Sequence, residues 1–198
     1  MRAPVYLVRH GQSEWNVLRL TQGQTTHPAL TALGREQAAA AAEAIARDLV
    51  SGTPVRVVTS DLVRAVETAR IIGDRLGLVP ELDARLREQH LGDLEGRSYE
   101  DSWHEAELHD WSDPELPVAG GESVAQVRRR LVALLAELDP DAATVVVSHG
   151  DSIRSVLAHL LGHSMTEVPW VDVPNGSVAR YDGVVGWLEH RHPAEVER

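Results

Sequence analysis

Two His-Gly pairs, each directly after a run of β-branched residues, are the first feature of this chain that suggests chemistry. An Arg-His-Gly tripeptide at residues 9–11 follows one run, and Ser-His-Gly at residues 148–150 follows another. A third run ends at residue 59, with Arg64 one helical turn further along. Ligands of open α/β sheets bind outside the carboxyl ends of the strands, so we expect these residues to gather at one site.

Gathered in this way, Arg9, Arg64, His10 and His149 would form a cationic pocket in a chain whose formal net charge is −11. Arginine forks bind phosphate oxygens in pairs, and the N–H groups at helix starts bind phosphate as well. The combination therefore predicts a phosphate-binding site.

Each of these residues also has a plainer interpretation. A His-Gly pair after a strand is ordinarily a turn, and Arg64 alone would suit a surface ion pair with Glu67 or Asp61. The two histidines with Glu88 could bind a metal ion, but they lack the i, i+4 spacing of a helical zinc site. No serine has the flanking glycines of a nucleophile elbow, which argues against a serine hydrolase. The occurrence of all the pieces together favours the phosphate site.

The composition excludes other kinds of chemistry. All 19 Lys-plus-Arg positions are arginine, so there is no Schiff-base lysine and no P-loop lysine. The chain has no cysteine and therefore no thiolate nucleophile, disulfide or cysteine-ligated metal. The charge of −11 argues against a nucleic-acid partner, which requires a basic face. No stretch approaches the roughly 18 apolar residues of a membrane span, and the start does not resemble a signal peptide, so we expect a cytoplasmic protein.

The elements that must position these residues alternate between strand and helix. We expect Thr31 to cap the first long helix and Ser60 or Asp61 to cap the second. The alternation predicts a three-layer α/β/α sandwich with a largely parallel central sheet, in one domain of residues 1–198. The predicted strands lie at 5–8, 55–59, 79–82, 144–147, 177–181 and near 187, and the predicted helices at 31–50, 60–76, 123–138 and 152–161.

Residues 98–121 interrupt this alternation. They place Tyr99, Trp103 and Trp111 among acidic residues and two prolines, with little periodicity. We expect an insertion, or lid, packed over one end of the sheet. Its aromatic side chains could stack on a substrate ring or simply anchor the insertion.

The motifs around the candidate residues resemble those of the histidine phosphatase superfamily, in the branch that includes the cofactor-dependent phosphoglycerate mutases. The resemblance extends in the family's order from residue 6 to about residue 161. The motifs that carry it are LVRHGQSEWN (7–16), QG (22–23), LTALGREQA (30–38), SDLVRAVETA (60–69), LREQHLGDLEG (86–96), GES (121–123) and VSHG (147–150).

The resemblance implies a phosphohistidine mechanism with no metal and no other cofactor. His10 would be the nucleophile, and Glu88 would act first as the acid and then as the base. Arg9, Arg64 and His149 would hold the transferring phosphoryl group. The other phosphate-binding residues would be Asn16, Gln22, Gly23 and the backbone of Gly11 and Asp151.

The acid role depends on the pKa of Glu88. Its neighbours Arg87 and His90 would lower this pKa, whereas burial beneath the insertion would raise it. We expect burial to dominate, because an acid must be protonated when the alcohol leaves.

Phosphatases and mutases of this family share the phosphohistidine, so the rim of the pocket must distinguish them. The mutases carry an Arg-His-Tyr-Gly run after the acid, where this chain has Gln89-His90-Leu91-Gly92. They are also longer and add Lys and Arg for a substrate carboxylate. We therefore expect a phosphatase for a small phosphorylated metabolite, with a phosphomutase or an inactive binding protein as alternatives. Whether the protein is a monomer or a homodimer stays open.

Overall fold

The computed structural model describes residues 3–166 and 171–188, and within these ranges the centre of the protein is a mixed β-sheet. The strands are β1 (Val5–Arg9), β2 (Val55–Thr59), β3 (Glu81–Leu82), β4 (Ala143–Ser148), β5 (Val178–Tyr181) and β6 (Val185–Trp187). They form one sheet in the order β3-β2-β4-β1-β5-β6. The first four strands are parallel, while β5 is antiparallel to β1 and β6 is antiparallel to β5. The largely parallel sheet is confirmed.

Helices cover both faces of this sheet. They are α1 (Glu14–Val17), α2 (Ala32–Asp48), α3 (Val63–Leu76), α4 (Tyr99–Leu108), α5 (Val124–Ala136) and α6 (Gly150–Leu160). In β1, Val5 and Leu7 pack in one apolar cluster with α5 and α6, whereas Tyr6 and Val8 pack in a second cluster with α2 and α3. Successive strand side chains point to opposite faces, so a strand that is apolar at every position needs both faces covered. This arrangement is the predicted α/β/α sandwich.

The strand register brings the candidate residues together. Arg9 at the end of β1 lies opposite Ser148 at the end of β4, and Thr59 at the end of β2 lies opposite Val147. The segments that follow these three strands therefore leave the sheet side by side. This places His10 near His149 although 138 residues separate them in the chain.

Two helix starts differ from the predictions. Helix α3 begins at Val63 after Leu62, which provides no side-chain cap, so neither Ser60 nor Asp61 is the cap. Asp61 instead bonds the guanidinium of Arg87. Helix α6 begins at Gly150, two residues before the predicted start.

The segment 98–121 has more regular structure than its sequence suggested. Ser98 caps α4, accepting a hydrogen bond from the N–H of Asp101, and Glu100 with Asp101 places acidic charge in the first turn. Negative charge there is favoured by the helix dipole. The periodicity was too weak to predict this helix, because most of its side chains are exposed.

The single domain of residues 1–198 stays a prediction, and residues 1–2, 167–170 and 189–198 lie outside the described parts of the chain. Among the helices of those parts, none is long and apolar enough to cross a membrane.

A close approach of two backbones holds the loop after β1. A Cβ on Gly34 would lie 2.1 Å from the carbonyl oxygen of Gln12, and a Cβ on Gly11 would lie 2.1 Å from the carbonyl oxygen of Gly34. Both glycines are therefore required sterically. Their contact fixes the N-terminal end of α2 against the segment that carries His10.

Gly34→Ala should therefore destabilise the protein by about 1–3 kcal/mol, the usual cost of forcing extra atoms into a packed site. This outweighs the gain of about 1 kcal/mol that alanine ordinarily brings within a helix. Urea unfolding measures the change. Gly186→Ala, where an added Cβ meets nothing within 4 Å, is the control and should be near neutral. Equal stability of Gly34→Ala and the unmodified protein would contradict the steric argument.

Candidate active site

A cavity of about 700 Å³ opens beside the carboxyl ends of β1, β2 and β4. Arg9, His10, Arg64 and Glu88 form its polar wall. The lid segment 98–121 contributes the opposite wall through α4 and the residues that follow it. The structure thus brings four of the five predicted catalytic residues to one surface. This surface lies at the carboxyl ends of the parallel strands, as expected for an open α/β sheet.

His10 is buried and has a defined tautomer. Its Nδ1 lies 2.7 Å from the carbonyl oxygen of Gly11, so Nδ1 carries the proton and donates it to that oxygen. Burial lowers the pKa of His10 well below its usual value, and the charges of Arg64 and Arg9 lower it further. The ring is therefore neutral near pH 7, with an unprotonated Nε2 that can act as a nucleophile.

His149 lies against His10 and not on the cavity wall. The two ring centres are 5.2 Å apart, and the His149 side chain is fully buried. Burial and the charge of Arg64 lower its pKa well below the usual value. Its Nε2 lies 2.9 Å from the Ser60 hydroxyl, and its Nδ1 has no partner in the described chain.

Arg64 is buried and Arg9 is half-buried, and within the described residues both guanidinium groups bond to neutral carbonyl oxygens. Arg64 donates to the carbonyl oxygens of Thr25 and Gly23 at 2.9 and 2.8 Å, and Arg9 donates to that of Val173 at 2.5 Å. The Nε atoms of both arginines have no partner within the described residues. Burial lowers the pKa of Arg64 to about 10. A buried charge is costly unless it is paired, so this wall of the cavity is suited to an anion.

Glu88 accepts hydrogen bonds from the start of α6. One oxygen accepts from the N–H groups of Gln89 and Ser152, both at 3.0 Å, and from the Ser152 hydroxyl at 3.1 Å. The other oxygen accepts from the N–H of Asp151 at 3.1 Å. Burial and the Asp151 carboxylate raise the pKa of Glu88 despite these donors.

The pKa of Glu88 is raised, as expected. The groups that were expected to lower it, Arg87 and His90, are not the ones that do so. The Arg87 guanidinium turns away from Glu88 and bonds both oxygens of Asp61, at 2.7 and 2.5 Å. The groups that lower the pKa of Glu88 are backbone N–H groups, from Gln89 and the first turn of α6. The sequence could not indicate these backbone donors, because Arg87 and His90 are the charged neighbours of Glu88 along the chain.

Asn16, Gln22 and Gly23 also line the cavity, as predicted. Gln22 Oε1 accepts a hydrogen bond from the Ser13 hydroxyl at 2.8 Å, which leaves its Nε2 as the end available to a ligand. Asn16 Oδ1 accepts from Ser13, so its amide nitrogen is likewise the donor end. Ser13 itself is fully buried and caps α1.

Two predicted backbone donors are already used within the protein. The Gly11 N–H donates to the Thr68 hydroxyl at 3.1 Å, and the Asp151 N–H donates to Glu88 at 3.1 Å. Phosphate binding by Gly11 and Asp151 stays a prediction, and it would require these N–H groups to exchange their protein partners for the ligand. Gly150, whose N–H does not bond Glu88, lies on the cavity wall and is the better backbone candidate.

Sequence reasoning also missed two supporting residues. Asn175 Nδ2 donates to the carbonyl oxygen of His10 at 3.1 Å, and Ser152 holds Glu88. The only sequence signal for Asn175 was a Pro-Asn-Gly turn at residues 174–176. Nothing in that turn indicated contact with a histidine 165 positions away.

Across the described ranges, no group of three or more His, Cys, Asp or Glu side chains is placed to hold a metal ion. The positive charge on the described wall comes from Arg9, Arg64 and Arg154, and Arg154 is paired with Asp151.

Comparison with known proteins agrees with this geometry. The model of the histidine phosphatase superfamily, branch 1, matches residues 5–185. The chain belongs to this superfamily. A "Probable phosphoglycerate mutase" of Yersinia enterocolitica is 36% identical over 187 residues, which cover 90% of this chain and 84% of that relative.

Solved structures of hydrolases share the histidine phosphatase fold of this chain. The mycobacterial glucosyl-3-phosphoglycerate phosphatase, solved in a complex with VO3, is 35% identical with a TM-score of 0.79, covering 94% of this chain and 96% of its own. A structure named mycobacterial hydrolase 2 is 32% identical with a TM-score of 0.82, covering 99% and 95%. The resemblance carried by the sequence motifs is confirmed.

Arg64→Met should weaken the binding of inorganic phosphate by about 10- to 100-fold, because it removes charge-assisted hydrogen bonds to the anion. The dependence of the melting temperature on phosphate concentration measures this affinity. The control is Arg56→Met, which removes an exposed ion pair to Glu81 and should leave phosphate affinity unchanged. If both variants bound phosphate like the unmodified protein, Arg64 would not be part of the anion site.

Proposed function

We propose that the protein is a phosphatase that hydrolyses a small-molecule phosphate monoester through a phosphohistidine at His10. The observation that carries this proposal is a neutral His10 beside the buried Arg64 and the half-buried Arg9, which lack a carboxylate partner in the described chain. A nucleophile and an anion site in contact are what phosphoryl transfer requires.

In the first step, His10 Nε2 attacks phosphorus and the P–O bond of the ester breaks. Glu88 gives its proton to the departing oxygen, so the alcohol leaves neutral. Charge in the transition state lies on the equatorial phosphoryl oxygens, where Arg9 and Arg64 stabilise it. The products of this step are the alcohol, a phosphohistidine and an ionised Glu88.

In the second step, ionised Glu88 accepts a proton from water as that water attacks phosphorus. The P–N bond breaks, inorganic phosphate leaves, and both His10 and Glu88 return to their starting states. Glu88 therefore reverses its role between the two steps, which requires a pKa near the working pH. Burial and the Asp151 carboxylate raise the pKa of Glu88, which is the direction that this requirement needs.

His149 has a donor role in this proposal. The Ser60 hydroxyl oxygen accepts from the Leu62 N–H, so its own proton is available to His149 Nε2. The proton of His149 then resides on Nδ1, a buried donor that is unpartnered in the described chain. We propose that it bonds the phosphoryl group on His10.

His10→Ala should abolish turnover and the formation of phosphoenzyme, because no other side chain on the described cavity wall is placed to carry the phosphoryl group. Hydrolysis of p-nitrophenyl phosphate, and acid-labile labelling from a ³²P ester, measure the two properties. His104→Ala, a change outside the cavity wall, is the matched control and should retain both. More than a few per cent of residual activity in His10→Ala would mean that the nucleophile is misassigned.

The same assay tests metal independence and the inactive-protein alternative. We propose that the two arginines replace a metal ion, so EDTA should leave the rate unchanged. Loss of activity in EDTA, restored by a divalent metal, would refute this. An unmodified protein that neither hydrolyses the aryl ester nor becomes labelled would instead be a binding protein.

A phosphomutase is the second candidate, favoured by the similarity to the probable phosphoglycerate mutase of Yersinia enterocolitica. The Gln89 side chain, where the mutases carry arginine, is buried and donates to the carbonyl oxygen of Glu122 at 2.8 Å. It adds no cation for a substrate carboxylate. Isomerisation of a phosphoglycerate that depends on a bisphosphate primer, and that is faster than hydrolysis, would establish the mutase.

Glu88→Gln should slow alkyl phosphates far more than p-nitrophenyl phosphate, because only the alkoxide needs a proton as it leaves. The raised pKa gives the sign of the pH dependence: Glu88 is an acid below its pKa and is lost as an acid above it. The alkyl rate should therefore decline as pH rises, whereas the lowered pKa of His10 keeps the nucleophile neutral until well below pH 6.5.

Asp151→Asn provides a second test of the acid–base role of Glu88. The Asp151 carboxylate raises the pKa of Glu88, so its removal should shift the alkaline decline to lower pH. Rate–pH profiles for an alkyl and an aryl ester provide the measurement. An unshifted profile, or equal slowing of both esters by Glu88→Gln, would withdraw the acid–base role.

A further inference from the structure

The cavity extends well beyond the space that a phosphate group needs. Its volume of about 700 Å³ lies within the roughly 300–1,000 Å³ of pockets that enclose drug-sized ligands. The four polar residues that the reaction uses occupy one wall. The remaining space must therefore receive the alcohol part of the ester.

The walls around that space are mainly apolar. Leu94, Val118 and Val127 are buried side chains on its surface. Tyr99 and Trp103 line it from α4, with their rings stacked at 6.0 Å between centres. Trp103 is 61% exposed, so together with Tyr99 it presents an aromatic surface on the cavity wall that a ligand can cover.

The charges beyond the phosphate end do not favour a second anion. The charged residues on the described wall, apart from Arg9, Arg64 and Glu88, are Asp113, Asp151 and Arg154. The guanidinium of Arg154 bonds the Asp151 carboxylate and the carbonyl oxygen of Val171. The charges of Arg154 and Asp151 balance each other, so Asp113 is the charge on this part of the described wall that would repel a carboxylate or a second phosphate.

Arg19 adds no positive charge to the described cavity wall. Its guanidinium lies over the rings of Tyr99 and Trp103, 5.7 and 5.8 Å from their centres. It contacts the aromatic faces but does not line the cavity. It stiffens the aromatic pair by cation–π contact.

We infer that the substrate is a phosphate monoester of a bulky, uncharged alcohol with an apolar ring face, which packs between the α4 aromatics and the apolar wall. This inference rests on the proposed phosphatase function and narrows its substrate class. It disfavours esters that carry a carboxylate or a second phosphate.

The first test is a series of alkyl esters with leaving alcohols of similar acidity: ethyl, butyl, hexyl and 2-cyclohexylethyl phosphate. The value of kcat/KM should rise about fourfold for each methylene that the cavity buries. A second pair isolates charge at constant size, 5-carbamoylpentyl against 5-carboxypentyl phosphate. The carboxylate should be at least about tenfold worse, since it would lose water beside apolar and acidic groups.

The second test is Trp103→Ala, which removes an exposed side chain and should not affect folding. It should raise KM for 2-cyclohexylethyl phosphate about tenfold with little change in kcat, and affect ethyl phosphate much less. Leu108→Ala is the control, because Leu108 lies on the same helix, is 73% exposed and is not on the cavity wall. It should behave like the unmodified protein, and circular dichroism checks the fold of both variants.

The outcomes separate the two proposals. Hydrolysis of all esters with a flat size series, or with a preference for the carboxylate, overturns the substrate inference and leaves the phosphatase. An equal effect of Trp103→Ala on both esters also overturns the inference. Failure to hydrolyse any ester, with no phosphohistidine, overturns both.

Discussion

The burial of two guanidinium groups against neutral carbonyl oxygens is the constraint on which the site depends. Arg9 and Arg64 lose their hydration and gain no carboxylate partner within the described chain, so folding must oppose that cost with the packing of the sheet and its helices. The same two charges lower the pKa of His10. One arrangement therefore attracts an anion and keeps the neighbouring imidazole unprotonated, which are the two conditions for nucleophilic attack on phosphorus.

Glu88 has the opposite requirement to His10 in the proposed mechanism, because its pKa must be raised and not lowered. Its carboxylate accepts the N–H groups of Asp151 and Ser152 at the start of α6, which stabilise the charged form. Burial and the Asp151 carboxylate act in the opposite direction and prevail. In the proposed mechanism Glu88 acts first as an acid and then as a base, and the raised pKa favours its protonated form at the start of the reaction. The first turn of α6 thus stabilises the charged form of the Glu88 carboxyl group.

The sequence predicted the layers, the parallel strands and the residues of the polar wall, because these depend on local patterns and on the topology that those patterns imply. It failed where a residue's partner lies far along the chain. Ser60 and Asp61 suit a helix cap, yet their side chains contact His149 and Arg87. The Gly11 N–H suits a phosphate, yet it bonds Thr68. Such choices are decided by tertiary contacts that compete with local preference, and no local pattern reports them.

In the proposed mechanism the reacting groups and the groups around the alcohol occupy separate parts of the fold, and this chain is similar both to a probable mutase and to a phosphatase. The reacting groups follow the parallel strands or, for Glu88, approach the start of α6, so they depend on the sheet. The apolar wall and its aromatic pair belong largely to α4 and the chain around Val118 and Val127, between β3 and β4. That segment can change its side chains without moving His10 or the arginines. Under the proposed function, the wall formed by α4 and the flanking apolar residues would select the alcohol, whereas the residues at the strand ends would transfer the phosphoryl group.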